Sequence, residues 1–167
     1  MASWSEFAAA RPRLAAAVHN LVHQYGPGLS YLATVRADGG PRVHPVSPVI
    51  TNDGLYCFIL DSPKRRDLDR DGRYALHSFP PEESDDEAYV SGRARRVTDT
   101  GRVAQLAGSM RAQAGLDWRL YEFTVDVAMV ARHGEGMANP LGAAYETWRD
   151  PAADWDARAV SGTDRVE

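Results

Sequence analysis

The hydrophobic pattern of this chain changes its period along the sequence. Near the start it is helical. Ser3 and Glu6 stand at the spacing of a capping box, which predicts a helix start at SWSEFAAA. Pro12 interrupts that piece and begins a second, because proline lacks the N–H a helix interior needs. Leu14, Val18, Leu21 and Val22 then recur at helical spacing, and Gly26-Pro27-Gly28 ends the element.

From Tyr31 the period becomes two. Tyr31, Ala33 and Val35 alternate with Thr34 and Arg36, and Asp38 to Gly40 is a hairpin turn signal. Arg42 to Ile50 resumes as a strand whose prolines, Pro45 and Pro48, predict an edge or bulged strand. Thr51 to Gly54 is a second turn. Leu55 to Leu60 is apolar on both faces and predicts a central strand. A short helix follows Ser62, then a strand over Arg73 to Phe79, an acidic loop, and a strand over Ala88 to Val97. TGRVAQLAGSMRAQAG predicts a helix with Val103, Leu106, Ala107 and Met110 as its buried stripe and Gly115 as its stop. RLYEFTVDVAMVARH predicts one strand, with Tyr121, Phe123, Val125, Val127 and Met129 on one face and Glu122, Thr124 and Asp126 on the other. Ala143 to Trp148 is a last strand candidate, and the tail after Pro151 is polar.

Six or seven strands in hairpin order, with two or three helices, predict a mainly β, antiparallel, closed or nearly closed barrel. The chain divides into an N-terminal helical segment (1–28), a barrel domain (29–150) and a polar tail (151–167).

Composition narrows the function. The 167 residues are 44% hydrophobic and 25% charged, as in an ordinary globular domain. A net charge of −4 speaks against a nucleic-acid or anionic-membrane partner. No apolar run is long enough to span a bilayer, and the N-terminus does not read as a signal peptide. Cys57, the single cysteine, lies in an apolar run and reads as a small buried hydrophobe; a cytoplasmic location fits. His44, His77 and His133 lack metal-ligand spacing, so no metal is expected. No GxGxxG is present, which disfavours a Rossmann site.

Two clusters carry candidate chemistry. Ser62 sits at an N-cap, Pro63 at the first helical position, and Lys64, Arg65 and Arg66 crowd the first turn. Lys64 is the only lysine among 19 Lys and Arg residues. Cations are repelled by the positive end of a helix dipole, and a bound phosphate would reverse that balance. The alternative is a set of solvated cations partly paired with Asp67, Asp69 and Asp71. The second cluster is Gly39 to Ser47. Arg42 and His44 leave one strand face together with Val46. That face suits a polar ligand, and an ordinary exposed strand face is the alternative.

Together these stretches resemble a family. YLATVRADGGPRVHPVSPVITNDGLYCFILDSPKRRDLDRDGRYALHS and AYVSGRARRV are similar to the pyridoxamine 5′-phosphate oxidase-like, FMN-binding split-barrel proteins, over roughly Tyr31 to Thr98. Gly92 matches a recurring glycine. The stretches also resemble the small actinobacterial branch, whose members use FMN or a deazaflavin (coenzyme F-420). The resemblance implies a six- to seven-stranded antiparallel split β-barrel with flanking short helices, in a homodimer with cofactor sites at the subunit interface. It implies a flavin- or deazaflavin-dependent oxidoreductase acting on a small organic substrate. It further implies that Arg42 and Lys64 bind the cofactor phosphate beside Ser62, with Arg65 replacing a charge lost at Pro63. Val43, His44, Pro45, Val46 and Ser47 would pass along the ring through backbone contacts, and Phe58 and Ile59 would line it.

Ser47 stands where the oxidase has a substrate-binding lysine, and Glu87 or Ala88 where it has a glutamine. These departures point away from pyridoxamine-phosphate oxidation itself. No catalytic residue is singled out. His44 and His77 are candidate proton donors, and a buried, satisfied histidine is the competing reading of each. A non-catalytic flavin or haem carrier of the same fold is the alternative function.

Overall fold

A computed structural model describes residues 1–109, 116–133 and 143–153. Met110, Gly115 and the tail from 154 onward lie outside the described residues. Helix α1 (Trp4–Ala10) carries the expected capping box: the Ser3 N–H donates to Glu6 at 2.7 Å, and the Glu6 N–H donates to Ser3 Oγ at 3.2 Å. Helix α2 (Pro12–His23) begins at its proline and buries Leu14, Val18 and Val22. With Trp4 and Phe7 these join the same core as the barrel strands.

Nine strands are formed among the described residues: β1 (Ser30–Val35), β2 (Pro41–Val46), β3 (Val49–Ile50), β4 (Leu55–Leu60), β5 (Arg73–Ser78), β6 (Glu87–Arg96), β7 (Trp118–Phe123), β8 (Val127–Arg132) and β9 (Ala144–Arg149). Helix α3 (Pro63–Arg70) joins β4 to β5, and α4 (Thr100–Ser109) follows β6. The main path runs β2-β1-β5-β6-β7-β4-β3, and every pairing is antiparallel. Its two ends, β2 and β3, are consecutive in the chain and joined only through Ser47-Pro48. A path whose ends are linked so closely must curl. The result is a half-closed, split barrel.

That link corrects the expectation of one strand from Arg42 to Ile50. Pro48 has no ladder donor. Its carbonyl instead packs against Gly28, where an added Cβ would stand 1.9 Å from the oxygen. The two halves therefore pair on opposite edges of the sheet.

The single strand expected from Leu120 to His133 is also two. β7 pairs with the end of β6 through Phe123↔Ala94, and β8 pairs with its start through Val127↔Ser91. Three residues, Thr124 to Asp126, thus oppose two, Gly92 and Arg93, which is a β-bulge. Glycine at 92 permits it: an added Cβ would meet the Thr124 carbonyl oxygen at 2.1 Å. The extra residue reverses the alternation. Ala128 and Val130 turn into the core in place of Val127 and Met129, while Thr124 and Asp126 are buried as well.

Candidate functional site

At the split, the outer edge of β2, that of the two-residue β3, and that of β4 from Cys57 to Leu60 have no strand partner among the described residues. Helix α3 starts just beyond the end of β4. The two clusters singled out in the sequence therefore meet here.

β2 alternates as its period requires. Pro41, Val43 and Pro45 are exposed; Arg42, His44 and Val46 turn inward. Val46 is part of the core, and Arg42 keeps about 30% of its side chain exposed. Its Nε donates to Asp67 Oδ2 at 2.7 Å. His44 Nε2 is buried and without a partner. Burial first, then the positive charges of Lys64 and Arg42, hold its pKa below the usual imidazole value, against a smaller opposing pull from Asp67. His44 is thus the unsatisfied histidine. His77 is the engaged one: its ring nitrogens contact the Ser78 carbonyl at 2.7 Å and Glu87 at 2.9 Å, on the outer face.

The α3 start explains its cations. Arg65 is buried, with its Nη2 2.7 Å from Asp117 Oδ2 and 2.9 Å from Asp61. Arg66 pairs with Asp61 at 3.4 Å. Lys64 alone of the three makes no ion pair among the described residues. Arg65, to which the resemblance gave a phosphate charge, has both Nη atoms engaged in fastening α3 to the segment before β7. Ser62 occupies the N-cap, but its hydroxyl donates to the Leu60 carbonyl at 2.9 Å instead of accepting from the helix. Asp69 pairs with Arg119, and Asp71 with Arg73, so neither neutralises Lys64.

Phe58 and Ile59 point to opposite sides of β4, and both are buried. Ile59 lies in the main core; Phe58 packs with Leu106 and Leu120 beneath α4. Their backbone edge faces the split, while their side chains are spent on packing. Ser47 offers its carbonyl, which the Cys57 thiol approaches at 3.6 Å. Burial raises that thiol to about 12, so Cys57 is no nucleophile at neutral pH.

Sequence reasoning missed the residues that hold Arg42. Asp67 is buried and accepts from Arg42 Nε, from Thr34 Oγ1 at 2.9 Å and from Arg70 Nη1 at 3.4 Å. Burial pushes its pKa up, but these three donors outweigh it and hold the carboxyl below its usual range. A cleft of about 510 Å3 opens between the β1–β2 hairpin and α3, with Arg36, Arg42, Arg66 and Arg70 on its walls against Asp38 and Asp67. Each of these guanidinium groups is ion-paired, Arg36 with Asp38, Arg42 and Arg70 with Asp67 and Arg66 with Asp61, and four against three carboxylates leave the walls net positive. The hairpin turn was signalled in the sequence; the Thr34–Arg42 pairing it sets and the reach of Asp67 across to both were not read there.

A family model described as pyridoxamine 5′-phosphate oxidase matches residues 15–131, more than half of the chain. The chain belongs to that family. No curated protein matches in sequence. Among solved structures, a haem-binding protein from Mycobacterium smegmatis aligns at 17% identity with a TM-score of 0.58, covering 80% of this chain and 57% of that one. This chain thus spans little more than half of that relative. A haem storage protein from Vibrio cholerae aligns at 16% identity and TM-score 0.53, covering 69% and 89%. A Clostridium acetobutylicum protein of the pyridoxinephosphate oxidase family, related to general stress protein 26, aligns at 12% identity and TM-score 0.58, covering 79% and 95%. At such identities these likenesses carry the fold alone. Among the described residues no helix is long and apolar enough to cross a membrane.

Proposed function

We propose that this chain binds a phosphate-bearing flavin or deazaflavin, FMN or coenzyme F-420, along the split between β2 and β4, and serves as an oxidoreductase for a small organic substrate. The observation that carries this reading is the pairing of Arg42 and Lys64. They come from separate elements, both act on His44, and Lys64 has no counter-ion among the described residues. Two cations converging on one end of an open strand edge suit a phosphate. The open backbone of β4 and β2 suits a flat ring with polar edges.

The cofactor, when bound, supplies the hydride chemistry. This chain's part is to hold the phosphate, present backbone groups to the ring and keep water from its buried side. The reading is tested by following hydride transfer from the reduced cofactor to candidate acceptors, with and without Lys64.

A haem carrier is the second reading. His44 favours it, since its buried Nε2, without a hydrogen-bond partner among the described residues, would supply an imidazole nitrogen to a haem iron, and two structures of the same fold are described as haem-binding and haem storage proteins. A Soret shift on haem titration that is lost in His44→Ala would support it over the flavin reading.

The resemblance also suggests a homodimer. The outer sheet face supports this. Pro45, Tyr31, His77, Tyr89 and Met129 stand in one cross-strand row, and Val43 beside them is 59% exposed. A second copy on this face would bury them. The lone, buried Cys57 accords with a cytoplasmic setting.

A further inference from the structure

We propose that Asp67 is a positioning residue that fixes the Arg42 guanidinium for an incoming phosphate-class anion; this rests on the phosphate-site reading above. Three elements converge on it. Thr34 on β1 and Arg42 on β2 are direct cross-strand partners. Asp67 descends from α3 onto that pair, and its Oδ2 accepts from both. Its Oδ1 takes Arg70, which is itself anchored to the Val35 carbonyl.

The arrangement does two things. It holds Arg42 through Nε, the only nitrogen of that side chain engaged among the described residues, so both Nη atoms remain for an anion. It also removes the side-chain freedom that a free arginine would lose on binding. Thr34 sets the direction of the carboxylate without adding charge. Arg70 keeps the local sum positive, since two guanidinium groups meet one carboxylate.

A plain counter-ion would behave differently. If Asp67 merely neutralised Arg42, removing its charge would strengthen anion binding. If it positions Arg42, removing it weakens binding despite the gain in net positive charge. Asparagine keeps one acceptor but turns an NH2 group toward donors, so it tests the difference directly.

The experiment follows the Arg42 Nε–H signal in 15N-labelled protein while inorganic phosphate is added, alongside affinities for FMN and for riboflavin, which lacks the phosphate. Wild type is expected to respond saturably to phosphate. Asp67→Asn should weaken phosphate and FMN by about tenfold, the scale of one charge-assisted hydrogen bond, and leave riboflavin unchanged. Thr34→Val, which keeps every charge and the side-chain shape, should weaken phosphate by a smaller factor of about three. Unchanged or tighter phosphate binding in Asp67→Asn overturns the proposal, as does a wild type that gives no saturable response. Should Asp67→Asn fail to fold, Thr34→Val decides alone, and an unchanged affinity there overturns it. Wild type that binds phosphate but neither FMN nor the deazaflavin would sink the cofactor reading and leave Asp67 in its role.

Discussion

Arg65 and Asp117 meet twice: the guanidinium donates to the Asp117 carboxylate at 2.7 Å and to its backbone carbonyl at 2.8 Å. This fork ties the first turn of α3 to the segment that enters β7. It separates two neighbouring cations, since Arg65 holds the helix while the proposed phosphate site assigns Lys64 to the cofactor.

The separation predicts opposite phenotypes. Arg65→Ala should lower the melting temperature while cofactor affinity per folded molecule stays within about twofold. Lys64→Ala should leave the melting temperature unchanged and lose roughly 1.5–3 kcal/mol of cofactor binding, the range for a hydrogen bond to a charged group. Thermal melts and titrations on the same preparations check both.

Gly92→Ala should destabilise by roughly 2–4 kcal/mol, because its methyl would meet backbone and cannot be relieved by a rotamer. Chemical denaturation measures this. A loss under about 0.5 kcal/mol, the size of an ordinary surface change, would show that the bulge at Thr124 to Asp126 is not held as described.

His44 should titrate below the ordinary imidazole range and be neutral at pH 7. A phosphate seated between Arg42 and Lys64 offsets the two cations, so its pKa should rise on binding. The ring-proton shift measured against pH, with and without ligand, gives the sign. A fall on binding would contradict the placement of the anion.

Asp71 is held at about 2, first by side-chain hydrogen bonds from Arg73. Its unfolded value is about 3.9. A depressed carboxylate contributes stability that is present above the unfolded value and lost as pH falls through the folded one. Stability should therefore decline between about pH 4 and pH 2, and Asp71→Asn should flatten that decline. Urea midpoints across the range test it.

The outer sheet face makes a further prediction. If the proposed homodimer uses this face, Val43→Glu places a charge beside the Pro45–Tyr31–His77–Tyr89–Met129 row without touching the core. It should convert a dimer to a monomer in light scattering coupled to gel filtration, with the fold retained by circular dichroism.

Much of this architecture was legible beforehand. The Ser3–Glu6 capping box, the Pro12 restart, the DGG hairpin and the two-sided apolar β4 are local signals, and each formed as its chemistry required. The bulge was not legible, because Tyr121 through Met129 keeps an unbroken period of two, and only the distant Gly92 makes room for the slip. The site was legible in part. Arg42 and Lys64, which only the resemblance drew together, both lie near enough to His44 to act on its charge. Arg65, read from its place in the turn, went to Asp117, a partner 52 residues away. Asp67 was hidden for the same reason: its partners Thr34 and Arg42 lie on other elements, and helix spacing alone points its charge at its neighbours.

The most direct test of the central claim is titration of the purified protein with FMN and with the deazaflavin, read by visible absorbance, in wild type and in Lys64→Ala. Micromolar or tighter binding of one cofactor, lost by about tenfold or more in the variant, is the expected result. Binding of neither, or binding that Lys64→Ala leaves untouched, would contradict a phosphate site at the start of α3.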